Sequence, residues 1–180
     1  GFSPLEGLVM ATRGGDLDPG VLLHLLREGM TVDRLDTLLN KESGLYGLAG
    51  ESDMRKLLAS TKPEARQAIE FYCYRARQYI GAYLAVLGGA DAILFGGGVG
   101  EHAAPVRAQI LAGLEWAGIH LDTEANAQAG AGCISAPGSR VAVWVIPVDE
   151  NLILAEEAAA LQRPTRKGER HEQDNERGRA

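Results

Sequence analysis

The sequence predicts an α/β layer architecture, and three observations carry the prediction. Two short runs, Ala92-Ile93-Leu94-Phe95 and Val141-Ala142-Val143-Trp144-Val145-Ile146, are rich in branched and aromatic residues and end at glycine or proline, as strands do. Each is followed by a stretch with helical spacing. Residues 63–87 place apolar side chains on more than one face of a long helix, which suits packing between two neighbours. Strands alternating with helices favour sheet-and-helix layers.

The elements follow in order along the chain. Over residues 19–29, Val21, Leu22, Leu25 and Leu26 recur at helical spacing, with Pro19 in the first turn and Gly29 past the end. A second helix opens at Thr31, a capping residue, carries Leu35, Leu38 and Leu39, and stops near Ser43-Gly44. Gly44, Gly47 and Gly50 then predict a structured loop over residues 43–50. Asp53-Met54-Arg55 opens a short helix, with Asp53 read as a first-turn charge paired with nothing.

Pro63 starts the longest helix, which runs through Ile69, Cys73, Ile80 and Leu87 to Gly88-Gly89, about seven turns. The continuous apolar run 92–95 predicts a strand buried on both faces. A helix fits residues 103–116, and another fits residues 150–162 after the last strand. Residues 163–180 differ: ten are charged, none is aromatic, and no apolar period survives. The expectation is a folded portion over 1–162 and a disordered tail over 163–180.

Composition limits the partners. The chain has 180 residues, 46% hydrophobic, with a formal charge of −6. A chain this long buries roughly 70% of its extended surface, enough for a core without staples. A negative balance argues against nucleic acid or anionic lipid as a partner. No apolar run approaches the roughly 20 residues that span a bilayer, and no signal peptide opens the chain, so the expected compartment is the cytoplasm. Cys73 and Cys133 read as reduced, mostly buried thiols. The opening Gly1-Phe2-Ser3-Pro4, without methionine, reads as a cut chain.

The strongest chemical signal is the strand 92–95 running into Gly96-Gly97-Gly98-Val99-Gly100-Glu101 and then a helix start. Glycines there let backbone N–H groups approach an anionic phosphate, although no Gly-Lys-Ser/Thr follows to make a P-loop. Gly98-Val99-Gly100-Glu101-His102-Ala103 also fits a dinucleotide fingerprint with Asp122 about 20 residues on, which leaves an NAD-dependent oxidoreductase as an alternative. Arg13, set before Gly14-Gly15, offers a planar fork for a carboxylate or phosphate, the plain alternative being a surface arginine. Glu150, at the junction of the last strand and last helix, can hold Mg²⁺ or simply serve the helix dipole. His24, His102, His120 and His171 are scattered, which argues against a metal cluster.

Together these segments resemble the acetate kinase family. Residues 2–16, Phe-Ser-Pro-Leu-Glu-Gly-Leu-Val-Met-Ala-Thr-Arg-Gly-Gly-Asp, look like the family's Thr-Pro-Leu-Glu-Gly-Leu-x-Met-Gly-Thr-Arg-x-Gly-Asp motif. Residues 39–47, Ser52-Asp53-Met54-Arg55, Phe95-Gly96-Gly97-Gly98-Val99-Gly100-Glu101 and Ile146-Pro147-Val148-Asp149-Glu150 occur in the family's order. The resemblance covers about residues 1–162 and implies the actin-like, sugar-kinase (ribonuclease H-like) fold, with this chain as the carboxyl-terminal one of two domains that close on ATP.

It further implies transfer of the γ-phosphoryl of ATP to acetate, giving ADP and acetyl phosphate, with Mg²⁺, or Mn²⁺ in its place, and a homodimer. By the same resemblance Arg13 is the active-site arginine, and Asp53, Met54 and Arg55 contact adenosine. Gly98, Val99 and Gly100 form the nucleotide loop, and Glu150 is the acidic residue associated with Mg²⁺. His102 stands where the family has asparagine, and Gly96 where it has threonine. The family's amino-terminal domain, with an asparagine, a second arginine, an aspartate and a histidine of its active site, has no counterpart here. The isolated chain is therefore expected to bind ATP weakly and turn over poorly. A non-catalytic nucleotide-binding or dimerisation module is the alternative.

Overall fold

Two α-helices open the fold, each set by its own cap. In a computed structural model that describes residues 1–128 and 130–148, α1 (Pro19–Arg27) is capped by Asp18, whose carboxylate accepts the Gly20 N–H at 2.8 Å. In α2 (Val32–Lys41), Thr31 accepts the Arg34 N–H. The apolar residues of α1 are not buried, and Val21 and Leu26 stay exposed. Two further short helices, α3 (Gly44–Ala49) and α4 (Met54–Ala59), lead to α5 (Pro63–Leu87), which begins at proline and stops at Gly88 in the left-handed region.

The segment over 43–50 corrects the expectation of a loop, because it is the helix α3. Glycine weakens an isolated helix. Here the first turn gains partners outside itself, since the N–H groups of Leu45 and Tyr46 donate to the Met10 and Ala11 carbonyls.

The strand β1 (Ala92–Phe95) follows, then α6 (Gly97–His102), α7 (Ala104–Leu111), a 3-10 turn (Glu115–Ala117), α8 (Thr123–Gln128), β2 (Gly132–Cys133) and β3 (Ala142–Val145). The sheet order is β1-β3-β2. β1 lies parallel to β3 with Ile93 opposite Val143 and Leu94 opposite Trp144, and β2 is antiparallel. The helix expected over 103–116 is thus interrupted after Leu111, and the turn over 115–117 is a separate element.

β1 is not buried on both faces. Successive side chains of a strand point to opposite sides, so Ile93 and Phe95 pack inward while Leu94 is 61% exposed, beside Trp144 at 42%. The inner face joins Val143, Val145, Ile119 and Ile134 in one core. A second core gathers Leu45, Leu57, Ile69, Cys73, Val106 and Ile110 from α3, α4, α5 and α7. Ile80 and Phe95 pack against both. The long helix α5 therefore does sit between neighbours, as its sequence predicts.

The chain divides into two units, Gly1–Pro147 and Val148–Ala180, and all the helices and strands from α1 to β3 belong to the first. The helix expected over 150–162 and the tail over 163–180 lie outside the described residues. Among the described residues no helix is long and apolar enough to cross a membrane.

Candidate active site

Arg13 sits on an irregular segment that is fastened from two sides. On one side, the N–H groups of Ser43, Leu45 and Tyr46 donate to the carbonyls of Thr12, Met10 and Ala11, and the Thr12 hydroxyl donates to the Asn40 carbonyl at 2.8 Å. On the other, the Asp16 carboxylate accepts the Gly7 N–H at 2.7 Å, the Arg75 guanidinium at 2.8 Å and the Tyr79 hydroxyl, both of the latter on α5. The Tyr79 hydrogen bond, followed by the Gly7 N–H, lowers the Asp16 pKa below its ordinary value. The Arg13 guanidinium is half-buried and has no hydrogen-bond or ion-pair partner among the described residues. A cleft of about 410 Å³, lined by Phe2, Leu5, Gly14, Asp16, Leu22 and Leu39, borders the same segment.

Asp53 is not an unpaired charge. It caps α4 by accepting the Arg55 N–H at 2.9 Å, and it pairs with the Arg55 guanidinium at 2.6 Å, which holds its carboxyl down to about 2. The reason is geometric, because a capping carboxylate two residues before an arginine can accept from both its backbone and its side chain. Met54 is buried in the core, while Arg55 is exposed.

Gly98, Val99 and Gly100 lie within α6, which begins at Gly97 rather than after a glycine turn at Ala103. Gly97 has a φ of +69°, and a Cβ added at Gly97 or Gly98 would meet nothing within 4 Å, so the backbone there is open. Gly100 is the packed one, because a Cβ there would stand 3.3 Å from the Phe95 backbone. His102 ends the helix with its ring exposed.

Sequence reasoning missed the residue that holds this segment. Arg107 on α7 is 1% exposed and donates to the Gly100 and Glu101 carbonyls, both at 2.9 Å, and to Asn126. The signal was present. Ala103, Val106, Arg107, Ile110 and Leu111 follow the i, i+3, i+4, i+7, i+8 spacing of one helix face, so Arg107 falls on the apolar stripe.

Asp122, the acid of the dinucleotide reading, caps α8 by accepting the Glu124 and Ala125 N–H groups and does not end a strand of the sheet. Glu150 lies outside the described residues. Among the described residues no three His, Cys, Asp or Glu side chains converge on a common point, so they do not fit a protein cage for a divalent cation. Cys73 is buried as expected, but Cys133, on the short strand β2 that the sequence reading did not include, is exposed.

A family model described as the acetokinase family matches residues 1–156. The chain belongs to the acetokinase family. It is 51% identical to an acetate kinase of Solibacter usitatus over 163 residues, and 50% identical to one of Streptomyces coelicolor over 167 residues. These matches cover 86% and 89% of this chain but 39% and 41% of the relatives, so the chain spans about two fifths of their length. Among solved structures it resembles an acetate kinase of Porphyromonas gingivalis, with a TM-score of 0.83, 38% identity and coverage of 89% of this chain and 42% of that one. It also resembles a propionate kinase of Francisella tularensis, with a TM-score of 0.81, 34% identity and coverage of 87% and 41%. The fold of this acetokinase chain is accordingly the α/β, actin-like type of those kinases.

Proposed function

We propose that residues 1–162 form the carboxyl-terminal, ribonuclease H-like domain of an acetate kinase and supply the nucleotide-binding half of its active site. In the complete enzyme an acetate oxygen attacks the γ-phosphorus of ATP, the bond to the ADP oxygen breaks, and acetyl phosphate forms. The observation that carries this reading is Arg13, a half-buried arginine whose guanidinium has no partner among the described residues, on a segment fastened by α3 and α5. Phosphoryl transfer needs positioning and charge neutralisation above all, and a planar cation held in place supplies both.

In this reading the segment of Gly98, Val99 and Gly100, open at Gly98, faces the nucleotide, with His102 beyond it. Asp53, Met54 and Arg55 lie along the adenosine, Met54 through its backbone because its side chain is in the core. Glu150 is the carboxylate assigned to Mg²⁺, an ion that usually needs only one or two protein carboxylates besides phosphate oxygens.

The chain alone is expected to bind ATP weakly in calorimetry and to form little acetyl phosphate, trapped as the hydroxamate. Added to the amino-terminal half of a related acetate kinase it should restore turnover, and Arg13→Ala should then lower kcat far more than it raises the KM for ATP. Full activity of the isolated chain would refute the division of roles. Absence of any ATP binding would refute the nucleotide reading.

A second reading is favoured by α5, which leaves Phe71, Tyr74, Tyr83, Val86 and Leu87 exposed along its length. Exposed apolar side chains toward both ends of α5 suit a homodimer, with the chain serving as a dimerisation module. Sedimentation as a strict monomer at high concentration would remove it. Either role suits the cytoplasm, where ATP is at hand.

A further inference from the structure

A fully buried guanidinium is costly unless each donor is met. At Arg107 the partners among the described residues are neutral oxygens. Nη1 donates to the Gly100 and Glu101 carbonyls, Nε to Asn126 Oδ1 at 2.8 Å, and Nη2 to the Asn126 carbonyl at 2.7 Å. No carboxylate lies at ion-pair distance from it among the described residues, and burial lowers its pKa with no opposing charge. Arginine keeps its proton all the same. A leucine or methionine there would leave the Gly100, Glu101 and Asn126 oxygens without this donor, so the side chain is kept for the hydrogen bonds it makes and not for packing alone.

The segment it grips also packs through Val99 and Gly100, but its backbone is short and glycine-rich. α6 has six residues, three of them glycine, and a helix that short does not form on its own. No side chain caps it at Gly96. Asn126, itself buried, braces the arrangement by donating from Nδ2 to the Ala104 carbonyl at 3.0 Å, at the start of α7.

We propose that Arg107, braced by Asn126, is a positioning residue for the nucleotide: it clamps the glycine segment by two carbonyls and keeps beneath the phosphates a positive charge that no carboxylate among the described residues pairs with. The proposal rests on the reading of that segment as the nucleotide loop. Its two parts, clamp and charge, separate experimentally.

Arg107→Lys keeps the charge and loses the fork, whereas Arg107→Gln keeps an amide donor and loses the charge. The test titrates ATP, ADP and adenosine into the 180-residue chain and its two variants by calorimetry, and follows amide hydrogen exchange without ligand. In both variants the amides of residues 98–103 should exchange at least about tenfold faster, while those in the middle of α5 stay as in the parent chain. R107Q should lose roughly tenfold in ATP affinity, less for ADP and nothing for adenosine, while R107K stays within about threefold for all three. Equal losses for ATP and adenosine would overturn the charge, since a purely structural defect does not count phosphates. Unchanged exchange at 98–103 in R107K would overturn the clamp, even if R107Q does not fold. A parent chain that binds none of the three ligands would refute the nucleotide reading instead, and the exchange result would still judge the clamp.

Discussion

Gly44 lies so close to Arg13 that a Cβ at Gly44 would stand 2.7 Å from the Arg13 carbonyl oxygen and 2.9 Å from its amide nitrogen. Gly44 also has a φ of +63°, which side chains rarely adopt. The first residue of α3 and the candidate catalytic arginine are therefore fitted backbone to backbone. Gly44→Ala should cost about 2–4 kcal/mol by combining left-handed strain with a backbone clash. Gly50→Ala, with a φ of +70° but open space around it, should cost only about 1 kcal/mol. Urea unfolding of the two variants tests the ranking, and equal midpoints would contradict the close fit.

The Asp16 latch gives the fold a dependence on pH at both ends. Its carboxyl is held below the ordinary 3.8, chiefly by the Tyr79 hydroxyl. That contribution is complete above the ordinary value and is lost as pH falls through the depressed one. Tyr79 shifts the other way, above 10.0, because the Asp16 hydrogen bond favours its neutral form. Its contribution is complete below 10.0 and is lost as pH rises through the raised value. Asp16→Asn turns an amide donor toward Arg75 and removes the charge. The unfolding midpoints of parent and variant should be well separated near neutrality and converge as pH drops from about 5 toward 2. A gap independent of pH would mean that the carboxylate does not bear the latch.

The two thiols should react at very different rates. Cys133 is exposed, and a hydrogen bond from Ser135 lowers its pKa, while burial pushes Cys73 up to about 11. The thiolate is the nucleophile, so iodoacetamide near pH 8 should label Cys133 in the folded chain and Cys73 only after denaturation. Peptide mass spectrometry decides it, and equal labelling of the native chain would show that Cys73 is not sequestered.

Much of this fold was legible because local signals and tertiary demands agree. Pro63 and Gly88 bound α5, Thr31 and Pro19 mark the starts of α2 and α1, and Ala92–Phe95 is the strand read from the sequence. α3 is hidden in the sequence because Gly44 and Gly47 outweigh its helical tendency until the Met10 and Ala11 carbonyls reward it. The one-sided burial of β1 is not legible in its sequence, because an apolar run of four says nothing of which face a helix will cover. In the candidate site, the motif around Arg13 stood out, but the parts that hold it did not. Asp16, Arg75 and Tyr79 are 59 and 63 positions apart along the chain, and no local pattern joins them.

Arg75 and Tyr79 reach Asp16 from one side of α5, while Cys73 meets the Val106 carbonyl and Arg77 meets the carbonyls of Gln109 and Ile110 on α7. Each pair is four residues apart, and the two pairs are offset by two residues, roughly 200° around the helix axis. The arginine segment and the helix that carries Arg107 are thus bolted to opposite flanks of a single rod. Their spacing is set by the thickness of α5, and because the two pairs interleave along the chain, one residue inserted between Arg75 and Arg77 would turn Arg77 and Tyr79 by about 100° away from Cys73 and Arg75 and so break both mountings at once. Both mountings lie within about two turns of one helix, so neither can slide along the axis relative to the other while α5 stays intact.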